Sequence, residues 1–204
     1  MIISWFSLLG ALLFGLLPAR MLINSDCRYF DFEQLRTRLL TKPEDKRKRR
    51  RWWKLPLVWV DPVRGYVVAT LLIQAFELEG KPDFITRQLP LVLTFVILAG
   101  SVFTQTLGRK DEKESFSPGG FMAGLIVGLV PWMVAVPALL IGLTVTMAMN
   151  MYAVGYLGAA VFVGGLGFAF GVGKTQSAAY AIVVAAPALI SWFRQTKLVT
   201  PMRC

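Results

Sequence analysis

The chain has 204 residues, of which 55% are hydrophobic and 17% are charged. A soluble domain is typically about 45–50% apolar and about 25% charged, so this composition argues against a soluble globular protein and favours an integral membrane protein. Lys and Arg number 22 against 12 Asp and Glu, which gives a net charge of +10, and the chain has no His. Histidine-based acid–base catalysis and His-ligated zinc or haem are therefore excluded for this chain. The two cysteines, Cys27 and Cys204, do not have metal-site spacing, and neither a metal nor a cofactor is predicted.

Residues 1–19 are almost entirely apolar and predict a first transmembrane helix, close to the minimum of about 17 residues. A secretory signal is disfavoured because the segment lacks a basic start and a small-residue cleavage site.

Residues 20–61 form a basic loop. Positions 20–54 alone hold 12 of the 22 Lys and Arg residues and a net charge of +7. Upstream of the densest run, aromatic and leucine residues interleave with charges, which predicts a helix lying on the membrane surface. The densest run consists of Lys46, Arg47, Lys48, Arg49, Arg50, Arg51, Trp52, Trp53 and Lys54.

Three interpretations of this run stay open. It can be a solvated determinant of topology, a site for anionic lipid headgroups at about 1 kcal/mol per basic residue, or a docking site for an acidic partner. Nucleic acid is disfavoured, because tryptophans beside a span are more simply interface anchors.

Residues 62–107 predict a transmembrane helical hairpin. Asp61 is expected to cap the first helix, with Pro62 at its first position, and Arg64 is expected to snorkel to the headgroups. A polar turn around residues 77–88 separates the two helices, and residues 108–118 form a second polar loop.

Residues 119–193 predict a Gly-rich transmembrane bundle, since no charged residue occurs between Phe116 and Gly173. Asn150 marks the best internal break. The piece 119–148 is about 45 Å long as a helix, against a hydrocarbon core of about 30 Å, and contains Pro131 and Pro137. We expect one long, kinked crossing; the alternative is a broken hairpin that returns to the side it entered.

The positive-inside rule places the basic loop in the cytoplasm, and a bacterial inner membrane is the expected location. The single crossing gives six spans and puts the short basic tail, residues 194–204, opposite the basic loop. The broken hairpin gives five spans and puts both on the same side.

Small residues recur at helical spacing in the C-terminal half, as is typical of helices that pack closely in lipid. The packing candidates are Gly120, Gly124, Gly128, Gly164, Gly167 and Gly171. They serve packing within the chain or an oligomer interface. Gly173-Lys174-Thr175 is not a phosphate loop, because Phe168 stands where that motif requires glycine.

The predicted fold class is therefore all-α, a polytopic membrane protein with five or six transmembrane helices. The leading functional hypothesis is a structural or accessory subunit of a membrane complex, with anionic lipids and other subunits or a second copy as partners. The first alternative is a small channel or transporter whose pathway is lined by 119–148, with Pro131, Pro137 and Asn150 as candidates. The second is an interfacial enzyme acting on lipids, although no catalytic constellation was found.

Overall fold

A computed structural model describes residues 2–18, 28–30, 56–77, 84–107 and 114–203. The basic run 46–54, predicted to bind headgroups or a partner, lies outside the described residues. The described helices are α1 (Trp5–Leu16), α2 (Pro56–Gln74), α3 (Phe84–Thr106), α4 (Gly119–Leu129), α5 (Trp132–Met149), α6 (Tyr152–Ala169) and α7 (Lys174–Phe193). The described strands are β1 (Ile2–Ile3), β2 (Arg28–Phe30), β3 (Phe76–Glu77), β4 (Glu114–Phe116) and β5 (Lys197–Arg203).

The all-α prediction is confirmed, with the short strands confined to the ends of helices. Four helices are long and apolar enough to cross a membrane, namely α3 from Gln88 onward, α5, α6 and α7. Two further apolar helices, α1 and α4, are shorter. Helix α2 has 19 residues, which include Asp61, Arg64 and two prolines.

The predicted start of α2 is wrong. The helix begins at Pro56, and Pro62 lies inside it. Proline is favoured in the first turn of a helix because its missing N–H has no partner there. By this rule a helix could begin at either Pro56 or Pro62, so the sequence alone did not distinguish the two starts.

The segment predicted as one kinked crossing consists of two helices. Helix α4 ends at Leu129, and Val130 and Pro131 are extended, with ψ angles of 154° and 149°. Pro131 cannot donate to the preceding turn, and a residue before proline is pushed out of the helical region. Pro137, in contrast, lies inside α5. The predicted break at Asn150 is confirmed. Asn150 follows the last residue of α5 and has the left-handed conformation, with φ 55°.

Two small sheets show which ends of the helices lie together. Strand β1 pairs with β3, while β5 pairs with both β2 and β4. Thus the segment after α1, the strand before α4 and the segment after α7 meet in the β2–β5–β4 sheet. The turn after α2 meets the start of the chain in the other sheet. The seven helices within the described ranges alternate in direction between these two ends.

This arrangement differs from the favoured six-span topology in where it places the C-terminal strand. The C-terminal strand β5 pairs with Arg28–Phe30, which belongs to the predicted basic loop. Both segments therefore lie at the same end of the helices, as in the broken-hairpin alternative and not as in the six-span arrangement.

The core lies where α2 packs on α1 and α4, where α6 packs on α5 and α7, and where α3 packs on α7. Its largest fully buried side chains include Phe121, Leu72, Leu98, Met122 and Leu125. Among these apolar residues Gln105 of α3 is also buried, and its amide donates to the carbonyls of Gly15 and Leu17 at 2.9 and 2.7 Å. These bonds satisfy carbonyls that the end of α1 leaves without a helical donor.

Candidate functional site

An apolar groove of about 380 Å³ lies between α4, α5 and α6. We call it the α4–α6 groove. Its lining residues are Gly119, Met122, Ala123, Ile126, Leu139, Gly142, Leu143, Thr146, Tyr152, Gly155, Tyr156 and Ala159. None of these residues carries a charge. The volume is at the lower end of the range of about 300–1,000 Å³ for ligand pockets.

Small residues account for the groove. Gly142 and Gly155 form part of its wall where α5 and α6 pack so closely that a Cβ on Gly142 would lie 3.0 Å from the Cβ of Ala159. Together with Gly119 and Ala123 on α4, they leave space where larger side chains would close it. Leu143 on the rim is 52% exposed, so the groove opens on the outer surface of the helices.

Hydroxyl groups collect at one end of the groove. The Ser117 and Tyr156 hydroxyls lie 2.9 Å apart, and the backbone N–H of Ser117 donates to the Val199 carbonyl of β5 at 2.8 Å. Tyr152 lies one turn before Tyr156 on α6, and Thr146 donates to the Gly142 carbonyl at 2.7 Å. The opposite end, at Ile126 and Leu139, is purely apolar.

A buried ion pair lies on the other side of α4. Arg64 Nη2 is 3.2 Å from Asp61 Oδ1, and their side chains are 3% and 4% exposed, respectively. The Asp61 carboxylate accepts a hydrogen bond from the backbone N–H of Phe121 in the first turn of α4. Arg64 also lies over the Phe121 ring, 5.1 Å from its centre. The prediction that Arg64 snorkels to the headgroups is therefore wrong, because Asp61 and Phe121 hold it inside.

The glycines at 120, 124 and 128 all face α2. A Cβ on Gly124 would overlap the Pro62 carbonyl, and one on Gly120 would lie 3.1 Å from the Pro62 ring. Gly128 lies against the Ala69 methyl group. Gly65 on α2 completes the contact from the other side, against the Phe121 carbonyl.

The predicted packing glycines at 164, 167 and 171 have two different roles. Gly167 lies against Ser177 and Gly164 against Ala181, both on α7. Gly171 follows the end of α6 with φ +80°, and no atom lies within 4 Å of the position a Cβ would take. Its role is to form the turn into α7, since this φ favours glycine.

The predicted pathway residues do not meet at the groove. Pro131 immediately precedes α5, Pro137 lies within it and Asn150 immediately follows it. None of the three lines the α4–α6 groove. In the part of the chain that the structure describes, no three His, Cys, Asp or Glu side chains are placed to hold a metal ion.

Four polar residues of the structure were not predicted from the sequence, namely Tyr152, Tyr156, Ser117 and Gln105. The two tyrosines stand four residues apart in an apolar helix, which places both hydroxyls on one face. That spacing was the available signal for a polar end of a binding site. Nothing comparable marked Gln105, whose partners lie 88 and 90 residues away.

Comparison of the chain with protein-family models, curated proteins and solved structures finds no match. The function is therefore inferred from the residues that line the α4–α6 groove.

Proposed function

We propose that this is a membrane protein that binds a lipid and holds a hydrocarbon chain of that lipid in the α4–α6 groove. The observation that carries the proposal is the uncharged groove of about 380 Å³, open beside Leu143 on a surface whose exposed residues are largely apolar. In a bilayer, acyl chains are the apolar groups available to fill such an opening.

Charge complementarity favours an anionic lipid. Helix α2 begins at Pro56, so the basic run 46–54 ends two residues before it in sequence. Asp61, one turn into α2, contacts Gly120 near the hydroxyl-bearing end of the groove. In sequence, the basic run therefore adjoins the helix that contacts α4 at the hydroxyl-bearing end, and each basic residue contributes about 1 kcal/mol near an anionic surface.

The accessory-subunit hypothesis receives less support from the structure. It relied on glycine faces that could meet another chain, but Gly120, Gly124 and Gly128 already face α2 of this chain. The hypothesis of an interfacial enzyme acting on lipids also requires that the protein bind a lipid. Since the residues lining the groove include no charged group, we propose binding and not a reaction.

A pair of α4 variants tests the proposal. Ala123→Phe places a ring in the groove, whereas Val127→Phe adds the same ring to the exposed face of the same helix, where Val127 is 47% exposed. We expect the first variant to lose about tenfold in lipid affinity, equivalent to roughly 1.4 kcal/mol, and the second to bind as the wild type does.

The measurement is the lipid that stays bound through detergent purification, quantified by mass spectrometry, with thermal unfolding to confirm that both variants fold. Equal lipid retention in folded Ala123→Phe, Val127→Phe and wild-type protein would contradict the proposal.

A further inference from the structure

We infer that the lipid binds in one orientation, with an acceptor oxygen of its headgroup against Tyr156 and its chain running toward Ile126 and Leu139. This inference rests on the proposed function and adds the direction of the ligand and the chemistry at its polar end. It follows from the unequal ends of the α4–α6 groove.

At the polar end, the hydrogen bonds among the described residues leave one hydroxyl donor over. Each hydroxyl group has one O–H donor and two acceptor lone pairs, and the Ser117–Tyr156 contact at 2.9 Å uses one of the two O–H groups. Ser117 is only 3% exposed, while Tyr156 lines the groove. When Ser117 donates to Tyr156, the Tyr156 O–H is left to donate into the groove. A carboxylate, ester or phosphate oxygen accepts such a bond, whereas a saturated chain cannot.

The other end suits only hydrocarbon. Met122, Ile126 and Leu139 bring no polar side-chain group to it, and an oxygen-bearing headgroup placed there would lose its hydrogen bonds to water without replacement. Burial of a polar group without a hydrogen-bond partner is strongly unfavourable in an apolar environment. The reversed orientation is therefore disfavoured.

The length of the groove sets how much chain it holds. Gly119 and Ile126 lie seven residues apart on α4, which is about 10 Å at 1.5 Å per residue. One leaflet of the hydrocarbon core is roughly 15 Å thick, half of about 30 Å. The groove thus contains the part of the chain nearest the headgroup.

Photo-crosslinking of the full chain with two fatty acids tests the orientation. One probe carries a diazirine beside the carboxyl group, and the other carries it about 10 Å along the chain. We expect the first to label α6 near Tyr152 and Tyr156, and the second to label Ile126 or Leu139. The reversed pattern would overturn the orientation and leave chain binding intact. Labelling by neither probe within 117–159 would overturn the proposed function itself.

Tyr156→Phe tests the headgroup contact and keeps the ring. We expect a several-fold loss in labelling by both fatty acids but unchanged labelling by a diazirine-bearing alkane of the same length, which has no headgroup. Tyr180→Phe on α7, away from the groove, is the matched control and should label like the wild type. Equal fatty-acid labelling by wild type and Tyr156→Phe would overturn the role of Tyr156.

Discussion

Asp61 and Arg64 show how one charged pair fixes the position of a helix. The Asp61 carboxylate accepts from the first turn of α4, where the helix dipole favours a negative charge. Arg64 balances that carboxylate and packs over Phe121 of the same turn. Yet of the described residues none hydrogen-bonds the three guanidinium nitrogens or Asp61 Oδ1. The pair therefore depends on its two charges together.

Removal of one charge should destabilise the protein more than removal of both. Asp61→Asn or Arg64→Met leaves an uncompensated buried charge, which is expected to reduce the free energy of unfolding by about 3–5 kcal/mol. The double variant Asp61→Asn/Arg64→Met removes both charges and should recover much of that loss. Unfolding of all four proteins in one detergent measures the coupling, and additive losses would refute the interpretation.

Gly124 makes the closest approach between α2 and α4, because a Cβ there would overlap the Pro62 carbonyl. We expect Gly124→Ala to push the helices apart and to lower the free energy of unfolding by about 1–3 kcal/mol, the usual cost of overpacking. Gly100 on α3 provides the control, since no atom lies within 4 Å of its Cβ position.

Gly100→Ala should be neutral or stabilising by up to about 1 kcal/mol, from helix propensity alone. The readout is the unfolding midpoint of each variant. Similar unfolding midpoints for the two alanine variants would show that the close approach of α2 and α4 at Gly124 does not determine stability.

At the scale of elements, the breaks between helices could be predicted from the sequence better than the helix that each one packs against. Asn150 and Pro131 each carry a local conformational preference, so the end of α5 and a disturbance at Pro131 could be anticipated. Whether Pro131 kinks or breaks the helix depends on what each half packs against. Helix α4 lies along α2 and α5 lies along α6, and neither partnership is visible in the local sequence.

Gln105 links two elements in the same way, since its amide joins α3 to the end of α1. Gln105→Leu removes both bonds, each worth about 0.5–1.5 kcal/mol, and should loosen the last turn of α1. We expect faster amide hydrogen exchange in Trp5–Leu16 and little change in α6.

Thr104→Val is the control on the adjacent position, because the Thr104 hydroxyl donates only within its own helix, to the Ser101 carbonyl at 2.8 Å. Equal exchange in α1 for both variants would show that the Gln105 contact does not hold the helix end.

On the scale of the whole molecule, hydropathy and charge indicated a helical membrane protein with one basic segment, and four described helices have the required length and composition. The placement of the C-terminus could not be predicted, because it depends on strand pairing between residues about 170 positions apart. The α4–α6 groove could not be predicted either, since Gly119, Gly142 and Gly155 line a common space only when α4, α5 and α6 pack together. Short-range sequence patterns do not indicate which distant helices pack together.

The two sheets make a prediction about the sides of the membrane. Arg28 is the register partner of Arg203, while Ile2 pairs with Glu77 in the sheet at the other end. Cys27 and Cys204 adjoin Arg28 and Arg203 in sequence, so both thiols should react with a membrane-impermeant maleimide from the same side of sealed vesicles. Ile2→Cys, in a chain whose native cysteines are replaced by serine, should react only from the opposite side. Labelling of Cys27 and Cys204 from opposite sides would restore the six-span arrangement, because an odd number of crossings must then separate the basic segment from the C-terminus.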